Sequence, residues 1–391
     1  MIAKYIFWIL LLTIIYSYIG YALLLSLFVL IKQFGKKTNA TKNQQPEHLP
    51  PITLIIAAYN EQENVEPKVK NTQSLNYPKS KIQQVWVTDG STDGTPERLK
   101  SYPEVTVIHT PERLGKAMAI NHAMKHVSTP IAVFSDANTL LQPNSILELI
   151  KPFQDINVGC VSGEKQIIPG QSGSSTGEGV YWKYESFLKS IESETGSTLS
   201  AAGELFAIRT ELFQNIEPNT ILDDFEISTR IAQKGYSIIY AKNAIATEKG
   251  SLNFEEEQKR KIRIAAGGFQ TLFRNGKLLN PFINPSLSFK YFSHKVLRWT
   301  IVPLAIILIP LVNIIIIINN NSPLYIASFV FIVLFYGMAL LGYLLKNNRV
   351  RYNILLLPFY IIMMHISEIQ GFFRFIHNKQ GVRWEKAKRE T

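Results

Sequence analysis

Cysteine is almost missing from this chain: Cys160 is the only one in 391 residues. A single thiol excludes an intrachain disulfide and any cysteine metal cluster, so the fold has no cross-link to rely on. Histidine offers little more. His122 and His126 are spaced for one helix face, yet both lie off the apolar face of Ile120, Ala123, Met124 and Val127, and no third ligand accompanies them. They read as solvated surface residues rather than a metal pair. The spaced glycines of a P-loop are missing too. No internal repeat is found. Charge is scarce at the two ends, where Ile, Leu, Phe and Tyr dominate, and concentrates between about Lys32 and Lys295.

What charge there is leans one way, 41 Lys+Arg against 30 Asp+Glu for a formal +11. The cations sit beside apolar runs rather than along a groove, which points to membrane lipid and away from nucleic acid. Tyr5 to Ile31 is almost uninterrupted apolar sequence, above the roughly 20 residues a spanning helix requires. With no small-x-small cleavage site before Lys32, residues 1–31 are expected to form a retained anchor. Two further spans are expected near 296–318 and 324–345, joined by the uncharged turn Asn319–Pro323. A weaker stretch, 352–376, carries Pro358 and ends in His365, Ser367, Glu368 and Gln370. It reads as a span with its polar end against protein or water, or as a re-entrant or interfacial segment.

Basic residues set the orientation. Lys32, Lys36 and Lys37 follow the first span, Lys290, Lys295 and Arg298 precede the second, and Lys346, Arg349 and Arg351 follow the third. All three sites, and the domain between them, are then expected on the cytoplasmic side of the cell membrane. The basic tail, 377–391, calls for the same side, which a complete fourth crossing would contradict.

After a polar linker, 32–50, short apolar runs alternate with helical stretches. Ile52–Ala57, Gln84–Val87, Val105–His109 and Ile131–Phe134 read as buried strands, and Glu63–Ser74, Pro96–Ser101 and Lys116–His126 as helices. That alternation predicts an α/β domain over 51–268 with a parallel sheet and ligands at the carboxyl ends of its strands. Gly170–Gly179 is expected to be a Gly/Ser-rich loop. Residues 269–295 mix Phe282, Leu287, Phe289, Tyr291 and Phe292 with Lys and Pro, as a segment lying along a membrane surface does.

Polar residues gather where the expected strands end. Ala58-Tyr59-Asn60-Glu61 follows the first, and Asp89-Gly90 the second, where a carboxylate can accept hydrogen bonds from a base or ribose. Arg113-Leu114-Gly115-Lys116 offers amides and a cation at a helix start, suited to phosphate. Asp136 and Asn138 are spaced i, i+2 after the fourth strand, so they can share a divalent cation or cap the next helix. Asp223-Asp224 opens a helix, which suits its dipole, or supplies a general base raised in pKa by its neighbour.

In order, PITLIIAAYNE, VTDGSTDGT, RLGKAMAINHA, FSDANT and LDDFEISTRIAQKGY resemble the family 2 glycosyltransferases of GT-A fold. The likeness is to the membrane-embedded branch with cellulose, chitin and hyaluronan synthases, over about Pro51–Gly268. It implies a GT-A (Rossmann-like) nucleotide-sugar-binding domain flanked by transmembrane helices. Tyr59, Glu61 and Asp89, with Lys116 nearby, would hold the nucleotide of a UDP-sugar. Asp136 and Asn138 would bind Mg2+ or Mn2+ on its diphosphate. Asp224 would be the catalytic base, Arg263 a cation for the diphosphate, and Gly203 and Glu204 part of the acceptor region. The reaction implied is inverting transfer of a hexosyl or N-acetylhexosaminyl group to a lipid-linked or glycan acceptor in surface or exopolysaccharide synthesis. Three departures stand out: Thr88 for the first aspartate of Asp-Asp-Gly, Asn138 for an aspartate, and Arg260-Lys261-Ile262-Arg263-Ile264 where processive synthases have Gln-x-x-Arg-Trp. The missing tryptophan argues against chain building, which stays the alternative, with a non-catalytic scaffold as a further one.

Overall fold

The computed structural model describes residues 1–35, 48–168, 173–320, 322–346, 353–383 and 389. Among the cations used to orient the chain, Lys36, Lys37, Arg349 and Arg351 lie outside these residues, as do most of the linker, Gly170, Lys386 and Lys388. The apolar N-terminus forms one long helix, α1 (Ile2–Phe34), interrupted by a π turn at Tyr16–Gly20. The run ITLIIAA has no polar alternation, as a strand covered on both faces requires, and it becomes β1 (Ile52–Ala58) at the centre of the sheet. Helix α2 (Gln62–Gln73) leads to β2 (Ile82–Asp89), α3 (Thr95–Lys100) to β3 (Val105–Thr110), and α4 (Lys116–Met124) to β4 (Ile131–Asp136). These four strands are parallel, in the order β3-β2-β1-β4.

The second half departs from the expected parallel pattern. It runs β5 (Leu140–Leu141), α5 (Ser145–Ile150), β6 (Val158–Ile168), α6 (Gly173–Glu194), β7 (Leu205–Arg209), α7 (Asp223–Gln233), β8 (Ser237–Lys249) and α8 (Phe254–Arg274). Strand β7 lies antiparallel to both β4 and β6, so the eight-stranded sheet is mixed. Strand β6 escaped notice in the sequence because Gly163, Glu164, Lys165 and Gln166 interrupt its apolar residues. The expected Gly/Ser loop is corrected as well: from Gly173 onward it is the start of α6. Gly177 serves close approach there rather than loop freedom, since a Cβ would come within 2.6 Å of the Tyr360 ring. One apolar layer joins Ile120, Ile227 and Phe269 under one sheet face, and the other joins Val65, Leu149 and the fully buried Trp86 on the opposite face.

Beyond the sheet, α9 (Pro285–Lys290) continues through a π turn at Tyr291–Val296 to Trp299. Then come α10 (Ile301–Asn319), α11 (Pro323–Leu345) and α12 (Asn353–Ile376). Helices α1, α10, α11 and α12 are each long and apolar enough to cross a membrane. Phe7, Ile309, Ile316 and Tyr325 join α1, α10 and α11. Helix α12 differs, because half of its apolar stretch is buried inside the protein. It runs alongside α8 in the same direction, with Phe359 on Phe254 (4.9 Å), Phe372 on Phe269 (5.0 Å) and Phe375 on Phe273 (5.3 Å). Small residues allow this approach: a Cβ on Gly371 would lie 2.5 Å from that of Ala265. Both ends of α12 therefore stay beside the sheet domain.

Two basic residues expected at the lipid surface are instead inside. Lys290 is 2% exposed and donates to the carbonyls of Glu192 and Ser197, and Arg298 is 4% exposed and bound to Glu185 at 2.7 Å. Once desolvated, a cation needs such partners. Leu287 and Tyr291 likewise pack in the core, whereas Phe273, Phe282 and Ile283 are largely exposed and Phe289 and Phe292 partly so.

Candidate active site

The loops at the carboxyl ends of β1 to β4 are pinned to one another before any ligand is considered. Asn60, at φ 53°, uses its side-chain oxygen to accept the Thr92 amide at 2.8 Å; asparagine tolerates this left-handed backbone. Gly90, at φ 63°, faces the Arg113 backbone so closely that a Cβ would come within 2.7 Å. Asp89 is buried, and its two oxygens accept the amides of Leu114 and Gly115 at 2.8 Å each. The Arg113 guanidinium lies 3.7 Å over the Tyr59 ring. This bracing directs Lys116, at the first position of α4, inward. Its Nζ lies 2.8 Å from Asp136 Oδ1 and 3.5 Å from Asp223 Oδ2.

These groups meet in a cavity of about 1570 Å³. Of the residues singled out from sequence, Glu61, Lys116, Asp136, Asn138, Asp224 and Arg263 line it, together with Gly203 and Glu204. Tyr59 and Asp89 do not; they hold the loop that carries Lys116. Asp224, in the first turn of α7, has its carboxyl pushed up to about 7 by burial and then by the Asp223 charge. A Cβ on Gly203 would lie 3.3 Å from Asp224 Oδ2, a tight contact that the glycine spares that oxygen. Burial also raises Asp136, against the pull of Lys116. Asp223 Oδ2 and Arg263 Nε are buried without a hydrogen bond.

The donor set fits a divalent ion shared with a substrate. Asn138 gives its Nδ2 to Glu248 at 3.0 Å, which leaves the amide oxygen for the cavity beside Asp136. Among the described residues no group of three or more His, Cys, Asp or Glu could hold a metal. An ion here would need phosphate oxygens and water to complete its shell, the usual arrangement for Mg2+ with nucleotides. Behind this segment Lys68, fully buried and pushed down to about 7 by that burial, donates to Ser135 Oγ at 2.8 Å and the Thr139 carbonyl at 2.6 Å. Lys165 bridges Glu204 (2.5 Å) and Glu248 (2.6 Å). Burial alone would raise the Glu204 carboxyl, but Lys165 and Arg260 bring it down to about 2.

Sequence reasoning missed part of the wall. Helix α6 contributes Trp182, Glu185 and Lys189, and the chain after α9 contributes Trp299. Arg383 and Arg389 come from the basic tail, which the charge pattern used only to set orientation. Arg389 pairs with Glu248 and donates to the Lys249 carbonyl at 3.1 Å, and the Val382 carbonyl passes 3.5 Å from where a Gly115 Cβ would sit. No motif spacing announces these residues.

The sheet order, four parallel strands followed by an antiparallel one, with the pinned loops at their carboxyl ends, makes this a GT-A fold. Residues 53–216 match the family model described as Glycosyl transferase family 2. The poly-beta-1,6-N-acetyl-D-glucosamine synthase of Staphylococcus aureus (strain COL) is 26% identical over 256 residues, 62% of this chain and 61% of that protein. The synthase of the same name from Staphylococcus epidermidis is 24% identical over 234 residues, 57% of this chain and 56% of that one. The match thus spans about three fifths of the length of these relatives. Among solved structures, the mannosyltransferase PcManGT from Pyrobaculum calidifontis, in complex with GDP-Man and Mn2+, superposes with a TM-score of 0.73 at 21% identity. That superposition covers 96% of this chain and 99% of the other.

Proposed function

We propose that this protein is a membrane-bound inverting glycosyltransferase. It moves a hexosyl or N-acetylhexosaminyl group from a UDP-sugar to a hydroxyl of a lipid-linked or glycan acceptor, for cell-surface or exopolysaccharide synthesis. The observation that carries the reading is Asp224, raised to about 7 at the wall of a cavity that also presents Lys116, Asp136 and Arg263. A carboxylate near neutrality is matched to removing a proton from a hydroxyl at physiological pH. The names of the staphylococcal relatives and the ligands of the mannosyltransferase neighbour support the same class.

In the mechanism, Asp224 accepts the acceptor hydroxyl proton as that oxygen attacks the anomeric carbon and the bond to the diphosphate breaks. Lys116 and Arg263 offer positive charge to the departing diphosphate, where preorganised charge is most effective. Asp136 and Asn138 would hold Mg2+ or Mn2+, which when bound offsets the same developing charge. Asp89 and Tyr59 act through the loop that sets Lys116. The domain faces the cytoplasm, where nucleotide sugars are available.

Chain building is the second reading. Ile264 stands where the processive synthases have tryptophan, yet Trp182 and Trp299 reach the same cavity from other elements. The missing motif residue therefore no longer counts against a polymer product. The deciding assay uses purified protein in detergent, a panel of nucleotide sugars, and Mg2+ or Mn2+ present or chelated. Metal-dependent UDP release is expected, with Asp224→Asn slower by about 10²- to 10⁴-fold. Full activity in that variant would end the base assignment, and no turnover of any donor would favour a scaffold. Product length separates single addition from polymerisation.

A further inference from the structure

Lysine is almost never fully buried without a counter-charge, because its ammonium loses hydration on leaving water. Lys189, on α6, is 7% exposed and lines the cavity. Among the described residues it makes no hydrogen bond or ion pair; its recorded contact is with the Trp182 ring at 5.8 Å. The other buried lysines near that ring have carboxylates: Lys165 holds Glu204 and Glu248, and Lys261 faces Glu257 at 3.6 Å. Lys295, nearer the membrane helices, faces Glu185 at 3.6 Å. Trp182 adds a second donor without an acceptor, since its Nε1 is buried and unpaired. Burial and the Lys295 charge lower the Lys189 pKa, as expected of a cation short of its anion.

In the proposed mechanism the donor diphosphate already has its cations, Lys116 and Arg263. Lys116 feels Asp136, Asp223 and Asp224, whereas Lys189 feels Lys295, Glu185, Glu204 and Asp224. Asp224 is common to both sets, and the two lysines reach the cavity from different elements, Lys116 from α4 and Lys189 from α6. The Lys189 side continues to Trp299 and Lys295 at the start of a spanning helix and to Met364 and Glu368 on α12. An acceptor coming from the lipid boundary would reach Asp224 through this part of the cavity.

We infer that the inner part of the cavity, between α6, Trp299 and α12, is an acceptor subsite built for an oxyanion, with Lys189 and the Trp182 indole N–H as its donors. Two buried donors without partners complement a group rich in lone pairs, such as the phosphate of a lipid-linked acceptor or the carboxylate of an acidic sugar. This rests on the transferase reading, because it places the ligand on the acceptor side of the base.

The test is equilibrium binding to the full chain in phosphatidylcholine nanodiscs, using radiolabelled pairs of probes. One pair is a polyprenyl phosphate and the matching polyprenol; the other is a glucuronate oligosaccharide and its methyl ester. One anionic probe is expected to bind about tenfold more tightly than its neutral partner, and which one does so names the source of the oxyanion. Lys189→Met should remove that preference and Lys189→Arg should keep it. No preference in the natural protein, or a preference that survives in Lys189→Met, would overturn the subsite. Donor turnover is measured separately. Oxyanion preference without UDP release from any nucleotide sugar would fail the transferase reading alone, and UDP release without the preference would fail the subsite alone.

Discussion

Asp223 and Asp224 are adjacent in sequence and face different surroundings. Asp223 is buried against Lys116, while Asp224 reaches the cavity and bears the Asp223 charge as the second cause of its raised pKa. A base must be ionised to act, so activity is lost below its pKa and present above it. The kcat/KM profile of the natural protein is expected to rise through about pH 7. In Asp223→Asn the neighbouring charge is gone, and the rising limb should move to lower pH; an unmoved limb would separate the profile from Asp224. Gly203→Ala crowds the oxygen of the same base, at 3.3 Å, and is expected to lower kcat more than it changes donor KM. At this scale the sequence was most readable at strand ends, where chemistry-bearing residues follow apolar runs at short range. Lys189 and Trp299 were not readable, because their meaning comes from long-range packing around a cavity.

Helices α8 and α12 show what an element contributes. Ala265 on α8 leaves room for Gly371 on α12, while Gly267 and Gly268 turn to Leu222 and Trp299. Gly371→Leu should cost about 1–3 kcal/mol through overpacking and appear as a lower Tm. Gly179 supplies the contrast. It lies in helix α6 with nothing within 4 Å of a built Cβ, so Gly179→Ala is expected to add about 0.5–1 kcal/mol of stability. A matching loss there would mean that the helix does not begin where described. The first four strands and their helices were legible because each is a short apolar run closed by turn residues. Strand β6 and the start of α6 were not, since buried charges broke one pattern and helix-packing glycines imitated a loop in the other.

For the molecule as a whole, the open question in the sequence was the conflict between a fourth apolar helix and a basic tail. The structure lays α12 along α8 and brings Arg389 back to Glu248; we propose three crossings, by α1, α10 and α11, an arrangement that would satisfy the charge pattern. The single cysteine makes this testable, because Cys160 is fully buried and silent to labelling. In intact cells, Asn320→Cys is expected to react with an impermeant maleimide, and Lys379→Cys only after permeabilisation. Labelling of Lys379→Cys from outside would mean that α12 crosses. Two of the cations counted toward orientation are buried, Lys290 against the Glu192 and Ser197 carbonyls and Arg298 against Glu185.

The ion pair between Lys116 and Asp136 has a consequence for the order of events. A divalent ion arriving alone must compete with an ammonium already bound to its carboxylate. One that arrives with a nucleotide diphosphate brings the anion that Lys116 would otherwise lose. Ion and nucleotide should therefore bind with positive cooperativity, each tightening the other by the same factor. On the proposed reading, the protein would discriminate against free cations by keeping their place filled until the right companion appears.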